Sequence, residues 1–294
     1  QTVATRALVR AGKSGNLSEL AEKARELAAA LADFLAGPAM ADPAFAAQVL
    51  RLPSAADIAR EIGKDVDPDA VFAAHRALSR AIGAALAEPL SALQAQLRQH
   101  GPYSPAAGPA GQRALRNEAL GLLALALPVE ASALAQDRLA ALAAMTLIPG
   151  EAREALIGRF AELYADEPLV LDKWLMAQAL IPEAGTLDRV KALMASPAFS
   201  LGNPNRVRAL IGGFSANLTQ FNRADGAGYG FIAGIVTELD RANPQVASRL
   251  LGAFKTWRML EPGRRDLARS ALRMVAATPG LSRDVSDIAA RSLA

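Results

Sequence analysis

The chain has 294 residues, 52% of them hydrophobic but only 5% aromatic, with a formal charge of +3 and a pI near 9.4. That length can bury a sizeable core, and its alanine-rich apolar set favours close-packed helices over a β-sandwich, because Ala is the best helix former and a poor strand former. The absence of cysteine excludes disulfides, thiolate nucleophiles and cysteine-based zinc sites, and fits a cytoplasmic protein.

A basic pI can mark a partner such as nucleic acid or an anionic membrane. Here acidic and basic residues are interspersed without a block of like charge, so neither partner is expected. The longest apolar run, Ala119–Val129, is about half of what a membrane span needs. No basic-then-apolar leader opens the chain, and a start at Gln1 within a helical pattern points to a piece of something longer.

Taken in order, Thr2–Ala11 reads as a short helix ended by Gly12, and Asn16 or Ser18 caps a longer one through Leu35. Pro43–Leu50 is a short helix. Ser54 with Asp57 three residues on resembles a capping box, Asp standing in for Glu. Pro68 opens a long amphipathic segment to about Gln99, with a kink or split expected at Pro89. Gly101–Gly111, with three prolines and three glycines, reads as a long internal loop of a single domain. Helices are then expected over Gln112–Leu127, Glu130–Leu147, Glu151–Ala165, Pro168–Ile181, Thr186–Met194, Tyr229–Arg241, Pro262–Ala276 and Arg283–Leu293. No period-2 run of β-branched residues marks a strand.

Between them stands a segment written twice: NPNRVRALIGGF (Asn203–Phe214) and, forty residues on, NPQVASRLLGAF (Asn243–Phe254). Each copy has the marks of a helix start, Asn at the N-cap and Pro at the first helical position. Leu210, Ile211 and Phe214, like Leu250, Leu251 and Phe254, then share one face. Helices at a period near 40 residues indicate repeat units that cannot bury their apolar faces alone. The expected architecture is all-α, a superhelical stack of antiparallel helix pairs of the HEAT-like α-solenoid kind.

A catalytic centre is not expected within this chain. The two histidines, His75 and His100, form no H-E-x-x-H. His75 reads as an ordinary helix residue, and His100 as a helix-end residue favoured by the dipole. DGAGYGF (Asp225–Phe231) lacks the strand and lysine of a phosphate loop and reads as a turn into a helix. The polar residues of the repeated helices are more suggestive. Gln245 and Arg249 are four apart on one face, and Arg208 occupies the corresponding part of the first copy. Helix starts favour carboxylates, and arginine adds a planar two-pronged donor. The competing reading leaves these arginines solvated or paired with Glu238 or Asp240.

Several of these segments also carry a family resemblance. LVLDKW (Leu169–Trp174), the paired NP segments, DGAGYGF and LSRDVSDI (Leu281–Ile288) resemble the C-terminal region of bacterial aminopeptidase N, with LRLPSAADIA (Leu50–Ala59) and DVDPDAV (Asp65–Val71) resembling its earlier part. The resemblance implies the last, all-helical domain of a zinc metallopeptidase that releases N-terminal residues. The family's zinc ligands, its H-E-x-x-H helix and its Gly-Ala-Met-Glu-Asn stretch belong to a separate catalytic domain absent from this sequence. The implied partners are that domain and a peptide, and the chain alone is expected to be non-catalytic and to hold no cofactor. The resemblance further implies that the helical domain closes over the catalytic domain, and that Arg208, Gln245 and Arg249 face the peptide chamber and contact the substrate's C-terminal side or carboxylate. Arg208 aligns with Ser248 rather than Arg249, so the two arginines differ by about 100° in helical phase. A free-standing helical-repeat scaffold binding a protein on its concave face is the alternative. Nucleic-acid binding is a third reading, weakened by the shortage of aromatics for stacking.

Overall fold

The computed structural model describes residues 2–99, 103–126 and 138–294. Its contacts gather into two compact units, residues 1–62 with 70–156 and residues 63–69 with 157–294. In the first unit α1 (Thr2–Ser14) packs against α2 (Ser18–Ala36). α1 runs past Gly12, contrary to expectation. Gly12 is buried where a Cβ would stand 3.0 Å from Ile62 and 3.1 Å from Val71, so this glycine serves packing, and Gly15 at φ 67° ends the helix.

Proline-marked starts account for the next elements. α3 (Pro43–Leu50) follows Asp42, whose carboxylate accepts from Phe45 N at 3.0 Å. α4 (Ala55–Ile62) has the reciprocal cap: Asp57 N donates to Ser54 Oγ and Ser54 N donates to Asp57 Oδ2, both at 3.2 Å. The long segment after Pro68 splits into α5 (Pro68–Ala85) and α6 (Ala87–Gln96). Pro89 falls in the first turn of α6, where its missing N–H removes no intrahelical bond.

α7 (Ala107–Ala126) shortens the expected loop. Gly101 and Pro102 lie outside the described residues, and Gly108, Pro109 and Gly111 are helical. Pro109 sits in the first turn, where a proline is tolerated. Gly111 lies so close to α3 that a Cβ there would stand 3.0 Å from Ala44 N. The glycine thus lets two helices touch rather than breaking one. α8 (Arg138–Met145) is the described part of the helix expected over 130–147, and His100 and residues 127–137 lie outside the described residues. His75 is half-buried in α5, and the Pro53 carbonyl accepts from its ring. Burial nevertheless lowers its pKa.

In the second unit the chain continues from the latter half of α9 (Glu151–Leu163) through α10 (Pro168–Ala179), α11 (Thr186–Met194), the short α12 (Pro204–Val207), α13 (Gly213–Ala216) and α14 (Leu218–Phe221), then α15 (Ala227–Asp240), α16 (Pro244–Leu251), α17 (Pro262–Ala276) and α18 (Arg283–Leu293). α15 packs on α16 and α17, and both of these pack on α18. Both hydrophobic triples of the repeated segment are buried. Phe221 meets Tyr229 and Phe254 edge-on, with ring centres 5.2 and 5.3 Å apart. Among the described residues no strand forms; Val66 and Leu260 make one isolated bridge, with Val66 N donating to Met259 O at 2.8 Å.

DGAGYGF is a turn into a helix. Gly226 takes φ 73°, which favours glycine, and α15 starts at the next residue. A Cβ on Gly228 would stand 2.3 Å from Phe221 O and 2.5 Å from Gln220 O. Backbone carbonyls cannot yield as a flexible side chain can, so Gly228→Ala should lower stability by about 2 kcal/mol or more. Gly230→Ala, on the same helix but facing open space, should be neutral or stabilising. Urea unfolding of the two variants checks the contrast.

Candidate functional site

Both NP segments begin as their sequence predicts. Asn203 Oδ1 accepts from Asn205 N at 2.9 Å and Arg206 N at 3.3 Å, and Asn243 Oδ1 accepts from Val246 N at 3.1 Å. The two copies then part, which corrects the expectation of matching α-helices. The first widens into a π-helical stretch, Arg208–Gly212. The second tightens into a 3-10 stretch, Gly252–Met259. In the first copy Gly213 packs against α10, where a Cβ would stand 3.2 Å from Ala179 Cβ and 3.4 Å from Met176. Its neighbour Gly212 adds backbone freedom at the place where the helix widens. In the second copy Ala253 replaces Gly213, and Trp257 in the tightened stretch donates to Ser292 O at 2.9 Å.

All three predicted site residues are exposed. Arg208 is the first residue of the π stretch, which packs on α10. Gln245 is the second residue of α16, and Arg249 lies one turn on, in the last turn of that eight-residue helix. A cation there suits the negative end of the dipole, so the helix start itself is occupied by Gln245 and not by Arg249. Neither Arg208 nor Arg249 is ion-paired with a described residue. Asp240, a possible partner for them, is buried and committed elsewhere: it accepts from Ser282 N at 2.7 Å and Ser282 Oγ at 2.5 Å, tying the end of α15 to the start of α18. Gln245 and Arg249 therefore share one helix, whereas Arg208 stands on an element with other neighbours.

Sequence reasoning missed the polar groups that hold these helices in place. Arg206 donates to Asp172 Oδ1 at 2.7 Å and to Pro168 O at 2.9 Å, with the paired side chains only 12% and 17% exposed. It pins the first NP helix to LVLDKW, and its presence in one quoted motif with Asp172 in another was the available signal. Asn217 is buried and donates to Ala179 O at 3.0 Å and Ile181 O at 2.8 Å. Tyr229 Oη donates to Asn222 Oδ1 at 3.0 Å, and burial raises the pKa of this phenol. Gln220 Oε1 is buried with no hydrogen-bond partner among the described residues.

No group of three His, Cys, Asp or Glu among the described residues is placed to hold a metal ion. No described helix is long and apolar enough to cross a membrane.

Stacked helices without strands among the described residues define an all-α helical-repeat fold of the solenoid class. The chain belongs to the family described as a domain of unknown function (DUF3458_C), ARM repeats, which matches residues 1–294. It is similar to the C-terminal helical part of aminopeptidase N. The Caulobacter vibrioides aminopeptidase N is 36% identical over 266 residues, covering 86% of this chain and 30% of that protein. The Escherichia coli aminopeptidase N is 33% identical over 264 residues, again covering 86% and 30%. The chain thus spans about a third of the length of these relatives. The fold is shared with Legionella pneumophila aminopeptidase A, solved in complex with aspartic acid, at a TM-score of 0.76 over 97% of this chain and 38% of that one, with 22% identity.

Beside the repeat, Arg223 grips Asp225 with two bonds, of 3.0 and 2.5 Å, and donates to Ala184 O at 2.8 Å. The Arg223 bond, helped by Ala227 N, lowers the Asp225 pKa from 3.8 to about 2. A depressed carboxylate pKa stabilises the fold above the unfolded value, and that contribution is lost as pH falls toward the folded one. Asp225→Asn should therefore lower stability at pH 5 to 7 and cost progressively less between pH 4 and about 2. Urea midpoints across that range check the convergence.

Proposed function

We propose that the chain, over residues 1–294 with both of its compact units, is the single C-terminal helical domain of a zinc aminopeptidase of the aminopeptidase N type. The observation that carries this reading is the family match along the whole chain, joined to relatives of which the chain covers only 30%. The domain has no chemistry of its own. It caps the cleft of the catalytic domain, which holds the zinc that polarises the scissile carbonyl and activates water, and it controls which peptides enter. The cysteine-free composition supports a cytoplasmic setting.

Arg208, Gln245 and Arg249 contact the far end of the peptide. Their exposure, and the lack of an ion pair from either guanidinium to a described residue, support this role. A guanidinium on a free carboxylate makes a charge-assisted contact, worth about 1.5–3 kcal/mol. In the assembled enzyme, Arg208→Ala and Arg249→Ala should each raise KM by about 10-fold for a peptide with a free C-terminus, with kcat little changed. The matching peptide amide should be nearly insensitive. Equal effects on acid and amide would remove the carboxylate-reading role.

The reading as a whole is tested by an aminopeptidase assay with zinc supplied, on the chain alone and then mixed with a separately produced catalytic segment. Silence alone and altered activity or peptide-size preference on mixing is the expected result. Chelator-sensitive activity of the chain alone would overturn it, and silence in both with no association would leave the free-standing scaffold.

A further inference from the structure

α1 carries a stripe of cations. Arg6, Arg10 and Lys13 stand at i, i+4 and i+7, on one face of the helix, and the helix contains no acidic residue. All three are exposed, and none is ion-paired with a described residue. Like charges a turn apart work against the helix that bears them; the dipole favours Lys13 in the last turn, but gives Arg6 no such support. With Lys23 of α2 they line a cleft of about 580 Å3 between the two helices, together with the apolar Ala7, Ala11 and Leu20. Glu19 contributes the single acidic group of the lining, against four cations. Lys23 donates to both Glu26 oxygens, at 2.8 and 2.9 Å, and Glu26 is not part of the lining. Polar groups at the cleft's end are spent locally: Ser14 Oγ donates to Arg10 O, Asn16 N donates to Ser14 Oγ, and Asn16 Oδ1 accepts from Ser18 N.

We propose that this cleft docks an extended acidic peptide segment of a partner protein. Arg6 and Arg10 are separated by about 6 Å along the helix axis, and Arg10 and Lys13 by about 4.5 Å. Alternate residues of an extended chain repeat every 6.6 Å or so, so carboxylates at every second position can each meet a cation, while the apolar lining receives side-chain stems. Charge complementarity names the occupant, and the lining has no aromatic ring on which a base could stack. This docking site is independent of Arg208, Gln245 and Arg249.

The test uses the 294-residue chain and a fluorescein-labelled heptapeptide alternating Glu and Val, with an amidated C-terminus so that no free carboxylate end contributes. Anisotropy titration should show saturable binding that weakens about 10-fold or more from low to physiological salt. Arg6→Ser/Arg10→Ser should weaken binding by a similar factor at an unchanged melting temperature, and Arg283→Ser on α18 should not. Lys13→Ser, a single exposed change, should weaken it by a smaller factor and serves if the double variant melts early. Equal affinity for the Lys-Val counterpart, full binding by the charge-deleted variants, or tighter binding of a single-stranded oligonucleotide of equal charge would each overturn the proposal.

Discussion

The Arg264 guanidinium, with 7% of its side chain exposed, is the point on which the second unit turns. A buried cation is tolerated only when its donors are satisfied, and Arg264 takes its acceptors from three parts of the chain. Nε donates to Asn222 O at 2.5 Å, and the two terminal nitrogens reach Asp67 Oδ1, Asp69 Oδ2 and Glu261 Oε1. The Val66–Leu260 bridge and the Arg265–Asp65 pair reinforce the same seam. Asn222 also accepts from Tyr229, so it links Arg264 to the ring cluster of Phe221, Tyr229 and Phe254. The planar fork of arginine meets several acceptors at fixed angles, which a lysine could not do.

What the sequence made legible was local chemistry. Asn203, Asn243, Asp42 and the Ser54–Asp57 pair act as caps because a cap needs only its own neighbours, and the starts of Pro262–Ala276 and Arg283–Leu293, capped by Glu261 and Ser282, follow from the same cause. The errors arose where a distant segment decides. Gly12 and Gly111 read as breaks but are helical, because Ile62, Val71 and Ala44 require a missing Cβ. Arg206 and Arg208, two residues apart in one motif, have opposite fates, and Asp172, 34 residues earlier than Arg206, sets the difference. The cationic stripe of α1 escaped a search for contiguous blocks because a helix gathers charge at every third or fourth residue.

The repeated segment shows how one motif can serve two geometries. The start is the same in both copies, since Asn and Pro dictate it. Beyond the first turns, the glycine pair at 212–213 accompanies a widened helix against α10, and Ala253 accompanies a narrowed one that contains Trp257. The core faces survive the difference: Leu210, Ile211 and Phe214 are buried as fully as Leu251 and Phe254. The polar faces do not stay in step, so Arg208 and Arg249 cannot be treated as equivalent positions of a repeat.

The seam at Arg264 also bears on how the chain is made. Residues 63–69 belong with partners that follow almost two hundred positions later; the Arg264–Asp67 contact spans 197 residues. A ribosome adds about 5–20 residues per second, so this short segment waits roughly 10–40 s for its partners, and the first unit, which ends at residue 156, is synthesised before they appear. During that interval Val66 lacks Met259 and Glu261 as backbone partners, and the aspartates at 65, 67 and 69 lack Arg264 and Arg265. Charge at alternate positions of an unpaired segment works against edge-on pairing with another chain, so the acid-rich composition that later clasps an arginine also opposes premature association.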